Sequence, residues 1–181
     1  MRILYVASNP EGAVPLQVEK ELNLLREKID KIPTTELIDI RVYSHVRVDD
    51  LPFLVSQLAP DILHFSAHGQ EDGIVLAHDE CGHVLLTGDS LAKLLAAIAV
   101  RPKLIVINAC SSFAMASCLT DVADFVIGTD APISNVGART MAAVLYQQLA
   151  DGASIADALG AAAPMLDTID LGKVQTKLFP E

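Results

Sequence analysis

The sequence predicts an α/β fold, a three-layer sandwich around a mainly parallel central sheet, and three observations carry that expectation. Short β-rich runs alternate with helical patterns from one end of the chain to the other, the mark of strand–helix–strand units. The segment Lys103 to Asn108 (KLIVIN) is continuously apolar from Leu104 to Ile107, as expected of a parallel strand covered on both faces. Apolar residues make up 51% of the chain, enough for a sizeable core. With aromatics at 4% and no Trp, Leu, Ile, Val and Ala must fill it. At 181 residues the chain is expected to form a single domain, 1–181.

Each element has a local cause. Arg2 to Ser8 is a short β-rich run ended by a turn signal at Asn9-Pro10. Val18, Leu22, Leu25, Ile29 and Ile32 recur at steps of four and three. They form one face of an amphipathic helix, stopped by Pro33. Leu37 to Tyr43 reads as a second strand, and Asp49 to Leu58 as a short helix capped by Asp49 or Asp50 and ended before Pro60. Asp61 to Ala67 is a third strand, closed by His68-Gly69. Ile74 to Ala77 and His83 to Leu86 flank a turn at Asp79 to Gly82, which reads as a hairpin. Thr87-Gly88-Asp89 opens a helix with Leu91, Leu94, Leu95 and Ile98 on its apolar face. The strand Lys103 to Asn108 ends at Ala109-Cys110-Ser111-Ser112, and a helix of small residues and a strand from Asp124 to Gly128 follow. Two more helices come next. One carries Met141, Val144, Leu145 and Gln148 and ends at Gly152; the other starts at a capping box of Ser154 and Asp157 and is stopped by Pro164. Val174 to Phe179 reads as the last strand.

Charge and cysteine usage exclude several classes. Lys and Arg number 13 against 23 Asp and Glu, for a net charge of −10 and no basic run. A nucleic-acid binder needs a basic footprint for phosphates, so no nucleic acid is expected; a protein or peptide partner suits the charge better. Cys81, Cys110 and Cys118 show no framework spacing, which points to free thiols in a reducing compartment, the cytoplasm. Arg2 to Ala7 is too short for a secretory apolar region of roughly 7–15 residues. The longest apolar stretch, Leu91 to Val100, contains Lys93 and is half the ~20 residues of a membrane span, so no membrane partner is expected.

In open parallel sheets, chemistry gathers beyond the carboxyl ends of the strands. That rule selects the loops Ser8 to Gly12, Ala67 to Gly73, Ala109 to Ser112 and Thr129 to Asn135. Two of them hold His68 and Cys110, at the ends of strands expected to be neighbours about 4.8 Å apart. A thiol beside an imidazole is the minimal acyl-transfer pair: the base takes the proton, the thiolate attacks a carbonyl, and the imidazolium protonates the leaving amine. The helix expected after Cys110 would favour its thiolate. Gly69 lets its N–H come close to a substrate, so Gly69 and Cys110 form a candidate oxyanion hole. The alternative is a buried Cys110 beside an ordinary turn at His68-Gly69, and spacing alone leaves both open. A rival set, His64, His68, His78, Cys81 and His83, lacks the paired spacing of structural zinc sites. His64 and His68 would lie about 13 Å apart along one strand. His64 is therefore expected inside the core or facing a helix, with His78, Cys81 and His83 on a solvated hairpin. Cys118, Met115 and Met141 are expected in the core. No metal is expected. No Gly-rich phosphate loop or acidic cluster at a strand end supports a flavodoxin-like ligand binder.

Ile62 to Gly69 (ILHFSAHG) together with Val106 to Ser112 (VINACSS) resembles the His-Gly and Asn-Ala-Cys signatures of CHAT domains, in the caspase–separase clan of cysteine peptidases. His68 precedes Cys110 by 42 residues, comparable to the roughly 50 of caspases. Ala7-Ser8-Asn9-Pro10, Gly73-Ile74-Val75-Leu76, Val126-Ile127-Gly128 with Pro132-Ile133-Ser134, and Leu149 to Ser154 fall where that family has them. The resemblance implies a caspase-like fold and a cysteine endopeptidase with a His68–Cys110 dyad. It also implies no cofactor, a protein or peptide substrate, and regulation by a partner in trans or an activating signal. A catalytically silent interaction module is the alternative. CHAT domains commonly accompany repeats or sensor modules, which this sequence does not show. In such enzymes the pocket for P1, the residue before the scissile bond, lies beside the catalytic Cys. Side chains alternate along a strand, so Asn108 shares the face of Cys110 and, with Ser111, is expected to bind substrate. Clan members that cut after Arg or Lys often place Asp at the position of Asn108. Those that cut after Asp use nearby arginines, absent from the first three loops. An unpaired buried charge costs several kcal/mol, so an uncharged P1 residue is expected. Asp130 is the competing candidate for selecting a basic one.

Overall fold

In the computed structural model, which describes residues 1–9, 16–32, 38–70 and 72–180, the chain alternates strand and helix. Its elements are β1 (Arg2–Ala7), α1 (Val18–Ile29), β2 (Asp39–Ser44), α2 (Leu51–Leu58) and β3 (Ile62–Ser66). Then come β4 (His68–Gln70), β5 (Gly73–His78), β6 (Gly82–Thr87), α3 (Gly88–Ala97) and β7 (Leu104–Asn108). The last five are α4 (Phe113–Ser117), β8 (Phe125–Thr129), α5 (Asn135–Ala150), α6 (Ile155–Ile169) and β9 (Thr176–Phe179). Pro10, Pro33 and Leu37, on which a turn, a helix stop and a strand start were expected, lie outside the described residues.

Six strands form one sheet in the order β2-β1-β3-β7-β8-β9. All its pairings are parallel except that of β8 with β9. A second sheet, β4-β5-β6, is antiparallel. β3 and β7 are buried along their whole length, as the apolar run Leu104 to Ile107 predicts for β7, while β3 also buries His64 and Ser66. Their alternate side chains feed two cores. Leu63, Phe65, Ile105 and Ile107 pack with Leu51 and Val55 of α2, Leu91 and Leu95 of α3, and Met115 of α4. Ile62, Leu104 and Val106 pack with Leu25 of α1, Met141 and Leu145 of α5, and Ala158 and Ala162 of α6. The result is the three-layer α/β sandwich, each fully buried aliphatic side chain contributing about 1.5–3 kcal/mol.

The helix starts follow their caps. Thr87 accepts the N–H of Ser90, Ser134 that of Gly137, and Ser154 that of Asp157. α2 differs: Asp50 stands at its N-cap without a capping bond, because its carboxylate is taken by Arg47 at 3.0 Å. Three other expectations are corrected. Pro164 lies inside α6 rather than ending it. Ala162 and Leu166 on either side of it are fully buried, and that packing outweighs the ~3 kcal/mol that an interior proline costs. His68 and Gly69 do not form a strand-ending turn but begin β4, paired with Val75 and Ile74. Cys118 is exposed rather than core; Met115, Ala116 and Leu119 take the inward positions around it. Among the described residues no helix is long and apolar enough to cross a membrane.

Two glycines separate packing from propensity. A Cβ on Gly137 would lie 2.5 Å from Asp170 Oδ2 and 2.7 Å from Leu166 Cδ1, whereas one on Gly160 would meet nothing within 4 Å. Gly137→Ala should therefore lower stability by about 1–3 kcal/mol through overpacking. Gly160→Ala, inside α6 and facing open space, should raise it by about 0.5–1 kcal/mol. Urea unfolding midpoints moving in opposite directions would bear this out.

Candidate active site

The site begins with a register. β3 and β7 pair in parallel from Ile62 opposite Leu104 to Ser66 opposite Asn108. His68 and Cys110 each stand two residues beyond that last pair, following neighbouring strands at the same edge of the sheet. Period-two alternation puts His64, Ser66 and His68, and likewise Val106, Asn108 and Cys110, on the face toward α1 and α5. A cavity of about 220 Å³ confirms it: His68, Cys110, Ser66 and Asn108 line it together with Gln17 and Glu21 of α1 and Asn135 and Ala138 of α5.

The backbone around Cys110 is tightly specified. A Cβ on Gly69 would lie 2.0 Å from the Cys110 carbonyl oxygen and 2.8 Å from its nitrogen. Only glycine lets the two loops touch. Ser111 takes a left-handed φ of 51°, and its N–H donates to the Ala131 carbonyl at 3.1 Å. Buried Ser112 donates to the Ile107 carbonyl at 3.1 Å and accepts from the Thr129 N–H at 2.9 Å. Thr129 Oγ1 in turn donates to the Ala109 carbonyl at 2.8 Å. These bonds stitch the Cys110 loop to the end of β8. Cys110 is half-buried, with Sγ 4.0 Å from the Ile133 carbonyl oxygen. The helix expected at its back is the five-residue α4, beginning only at Phe113. So short a helix carries little macrodipole, and the loop geometry does more to define this position than the helix does.

Sequence-predicted residues divide into two groups. His68, Cys110 and Asn108 line one cavity, with Gly69 against it. Ser111 and Asp130 are not among its lining residues. Ser111 is turned outward and exposed by its left-handed conformation. Asp130 is tied to the chain entering β9, its carboxylate accepting the Gln175 N–H at 2.8 Å. His78, Cys81 and His83 lie on the β5–β6 hairpin, where His78 Nδ1 accepts from the Glu80 N–H and Cys81 Sγ donates to the His83 carbonyl. Among the described residues no group of three or more His, Cys, Asp or Glu is arranged to hold a metal ion.

One residue of the cavity escapes the pattern of apolar positions. Glu21 is only 6% exposed, although a carboxylate is rarely buried unless paired. Asn108 Nδ2 donates to its Oε1 at 3.0 Å and Ser66 Oγ to its Oε2 at 3.3 Å. His64 Nε2 lies 3.5 Å from Oε1. His64 itself is fully buried, stacks on Tyr5 at 4.5 Å between ring centroids, and shares a 2.8 Å hydrogen bond with Tyr146 through Nδ1. Burial pushes the Glu21 carboxyl up, but the neighbouring His64 and the Asn108 amide outweigh it and hold the group below its ordinary value. Burial, then the Glu21 charge, keeps the Tyr5 and Tyr146 phenols well above theirs. The signal for Glu21 was its spacing: three residues after Val18 and four before Leu25, it falls within the buried stripe of α1.

The CHAT domain family matches residues 17–167. A curated relative, named "Probable protease" and from Gillisia limnaea, is 24% identical over 132 residues, 71% of this chain. The chain spans about a quarter of that relative's length (23%). A secreted C11 cysteine protease from Bacteroides thetaiotaomicron, solved with an irreversible peptide inhibitor, superposes with a TM-score of 0.68 at 16% identity. The superposition covers 90% of this chain and 58% of that one. The Arg-specific cysteine proteinase gingipain R gives 0.63 at 11% identity, over 93% of this chain and 42% of its own. The Drosophila initiator caspase Dronc gives 0.56 at 10%, over 98% and 78%. These likenesses show a caspase-like fold.

The contact between Gly69 and the Cys110 backbone makes a prediction that needs no substrate. Gly69→Ala must push the Cys110 loop away, at a cost of about 1–3 kcal/mol. It should also change the alkylation rate of Cys110 relative to Cys81, measured by mass spectrometry with a small electrophile. An unchanged unfolding midpoint and an unchanged rate ratio would show that the loops do not depend on this contact.

Proposed function

The chain belongs to the CHAT domain family, and on that footing we propose that it is a cysteine endopeptidase with Cys110 as nucleophile and His68 as base. The observation that carries the reading is the in-register pairing of β3 with β7, which sets both residues at one sheet edge on the wall of one cavity. In the proposed reaction the Cys110 thiol gives its proton to His68, and the sulfur attacks the scissile carbonyl carbon. The tetrahedral oxyanion takes hydrogen bonds from the backbone N–H groups of Gly69 and Cys110. The C–N bond then breaks, His68 returns the proton to the leaving amine, and an S-acyl enzyme remains. Water, deprotonated by His68, attacks that thioester and releases the carboxylate product and the thiol. No co-reactant beyond water is needed. The names of the curated relative and of the solved neighbours support peptide-bond hydrolysis. The same reading gives the chain a protein or peptide substrate and a regulatory partner acting in trans on the loops around the cavity. Three free thiols support a reducing, cytoplasmic setting.

The test is cleavage of a quenched peptide library by the full chain and its variants. Cys110→Ala and His68→Ala should each lose about 10³-fold or more of turnover, with unfolding curves close to wild type. Near-wild-type cleavage by Cys110→Ala would overturn the assignment. If no peptide is cleaved and a peptidyl electrophile labels Cys110 no faster than Cys81 or Cys118, the chain is a silent interaction module.

A further inference from the structure

The wall of the cavity behind Cys110 and His68 is rich in hydrogen-bond acceptors. Glu21 presents a carboxylate there, held in its charged form by its neighbours. Its two oxygens offer about four acceptor sites, and the Asn108 amide and the Ser66 hydroxyl occupy two of them. Asn108 adds another acceptor. Its Nδ2 faces two oxygens, Glu21 Oε1 at 3.0 Å and the Ala138 carbonyl at 3.4 Å. That pair of acceptors fixes which end of the amide is the nitrogen. Oδ1 is therefore the other end, and it is buried with no partner among the described residues. A buried polar atom of this kind signals a missing donor. No Lys or Arg is among the described residues that line the cavity. Arg139 of α5 comes as far as Gln17, donating to its Oε1 at 3.2 Å.

We infer that the cavity receives the side chain of an Arg or Lys residue immediately before the scissile bond, and that Glu21 and Asn108 select it. The inference rests on the peptidase reading for the position of the peptide and goes beyond it in naming the substrate class. Geometry supports it. A carbonyl carbon at the Cys110 sulfur places the adjoining side chain at the mouth of the cavity. Asn108 lies two residues behind Cys110 along β7, roughly 6–7 Å, a depth that the three- or four-carbon stem of a basic residue spans. Its N–H donors then meet the Glu21 carboxylate and Asn108 Oδ1. An apolar side chain would desolvate both acceptors without pairing them. An acidic one would add repulsion from Glu21. On this inference the counter-charge for a basic residue comes from a helix, α1, and not from the loops that led to the expectation of an uncharged residue.

Two measurements on the full chain separate this inference from the reading beneath it. The first is turnover of matched fluorogenic peptides that differ only in P1, as Arg, Lys, Leu or Asp. The expected result is a kcat/KM for Arg or Lys at least about tenfold above Leu, with the ratio falling toward one in Glu21→Gln. The wild-type ratio decides the matter even if that buried variant folds poorly. The second is calorimetric binding of benzamidine, a small amidinium, to Cys110→Ala. Binding should weaken at least about tenfold when Glu21→Gln is added. Cleavage with Leu preferred or equal to Arg overturns the inference and leaves the peptidase standing. Glu21-dependent benzamidine binding without any cleavage supports the basic pocket and sinks the peptidase. If no basic preference is found and benzamidine does not bind, the inference is overturned outright.

Discussion

The in-register pairing of β3 with β7 is the constraint on which the rest of the molecule depends. Side chains alternate with a period of two, so a slip of one residue would move every side chain of a strand to the opposite face. Both strands are buried throughout, and apolar residues stand on both faces of each. Hydrophobicity alone therefore discriminates poorly between the two registers. The polar residues discriminate well. His64, Ser66 and Asn108 find Tyr146, Glu21 and the Ala138 carbonyl on the α1–α5 side. On the other side they would meet an apolar core of Leu, Val, Met and Ala. The residues that pin the register are thus the neighbours, two positions back, of the residues that reach the cavity.

This explains why the two helical layers differ. The α2–α3–α4 side is packed as plain core, while the α1–α5–α6 side carries a buried cluster of Tyr5, Glu21, His64, Ser66, Asn108 and Tyr146. A buried carboxylate costs several kcal/mol unless it is hydrogen-bonded. The Asn108 and Ser66 donors, with His64 Nε2 3.5 Å away, offset that, and removing either donor would leave a charge under-satisfied. Such clusters are often no more stabilising than an apolar core of equal volume. This one stands directly behind Cys110 and His68, with Glu21, Ser66 and Asn108 in the wall of the same cavity. It fixes Asn108 in the cavity wall and keeps a negative charge within reach of whatever enters.

Much of the fold was legible because its signals are local. A continuous apolar run located β7, Thr87 and Ser154 marked the starts of α3 and α6, and the spacing of Met141, Val144, Leu145 and Gln148 located α5. Alternation along the strand alone places Asn108 on the face of Cys110. The failures share one origin, since each concerns what a residue meets across space. Glu21 was passed over because a helix face read by its apolar members skips a carboxylate lying among them. Pro164 signals a stop, yet packing on both sides carries α6 through it. His68-Gly69 looks like a turn, and only the distant segment Gly73–His78 makes it a strand. Asp130 and Ser111 lie near Cys110 in loop terms but are directed elsewhere by bonds to Gln175 and Ala131.

The loop that presents Cys110 shows how the sheet supplies precision to a segment outside it. A left-handed φ at a serine costs about 1–2 kcal/mol, and glycine would avoid the strain. Serine is kept at position 111 only because its surroundings over-determine the conformation. The Ala131 carbonyl takes the Ser111 N–H, and the Ser112 and Thr129 hydroxyls add three further hydrogen bonds that lock the loop to Ile107, Ala109 and the end of β8. At about 0.5–1.5 kcal/mol each, these bonds together exceed the strain. Gly69 closes the opposite side against the Cys110 backbone. Cys110 is therefore held between β8 and β4 by the contacts of its own loop. The position of the Cys110 sulfur is set by buried hydroxyls and one glycine, with little help from the five-residue α4.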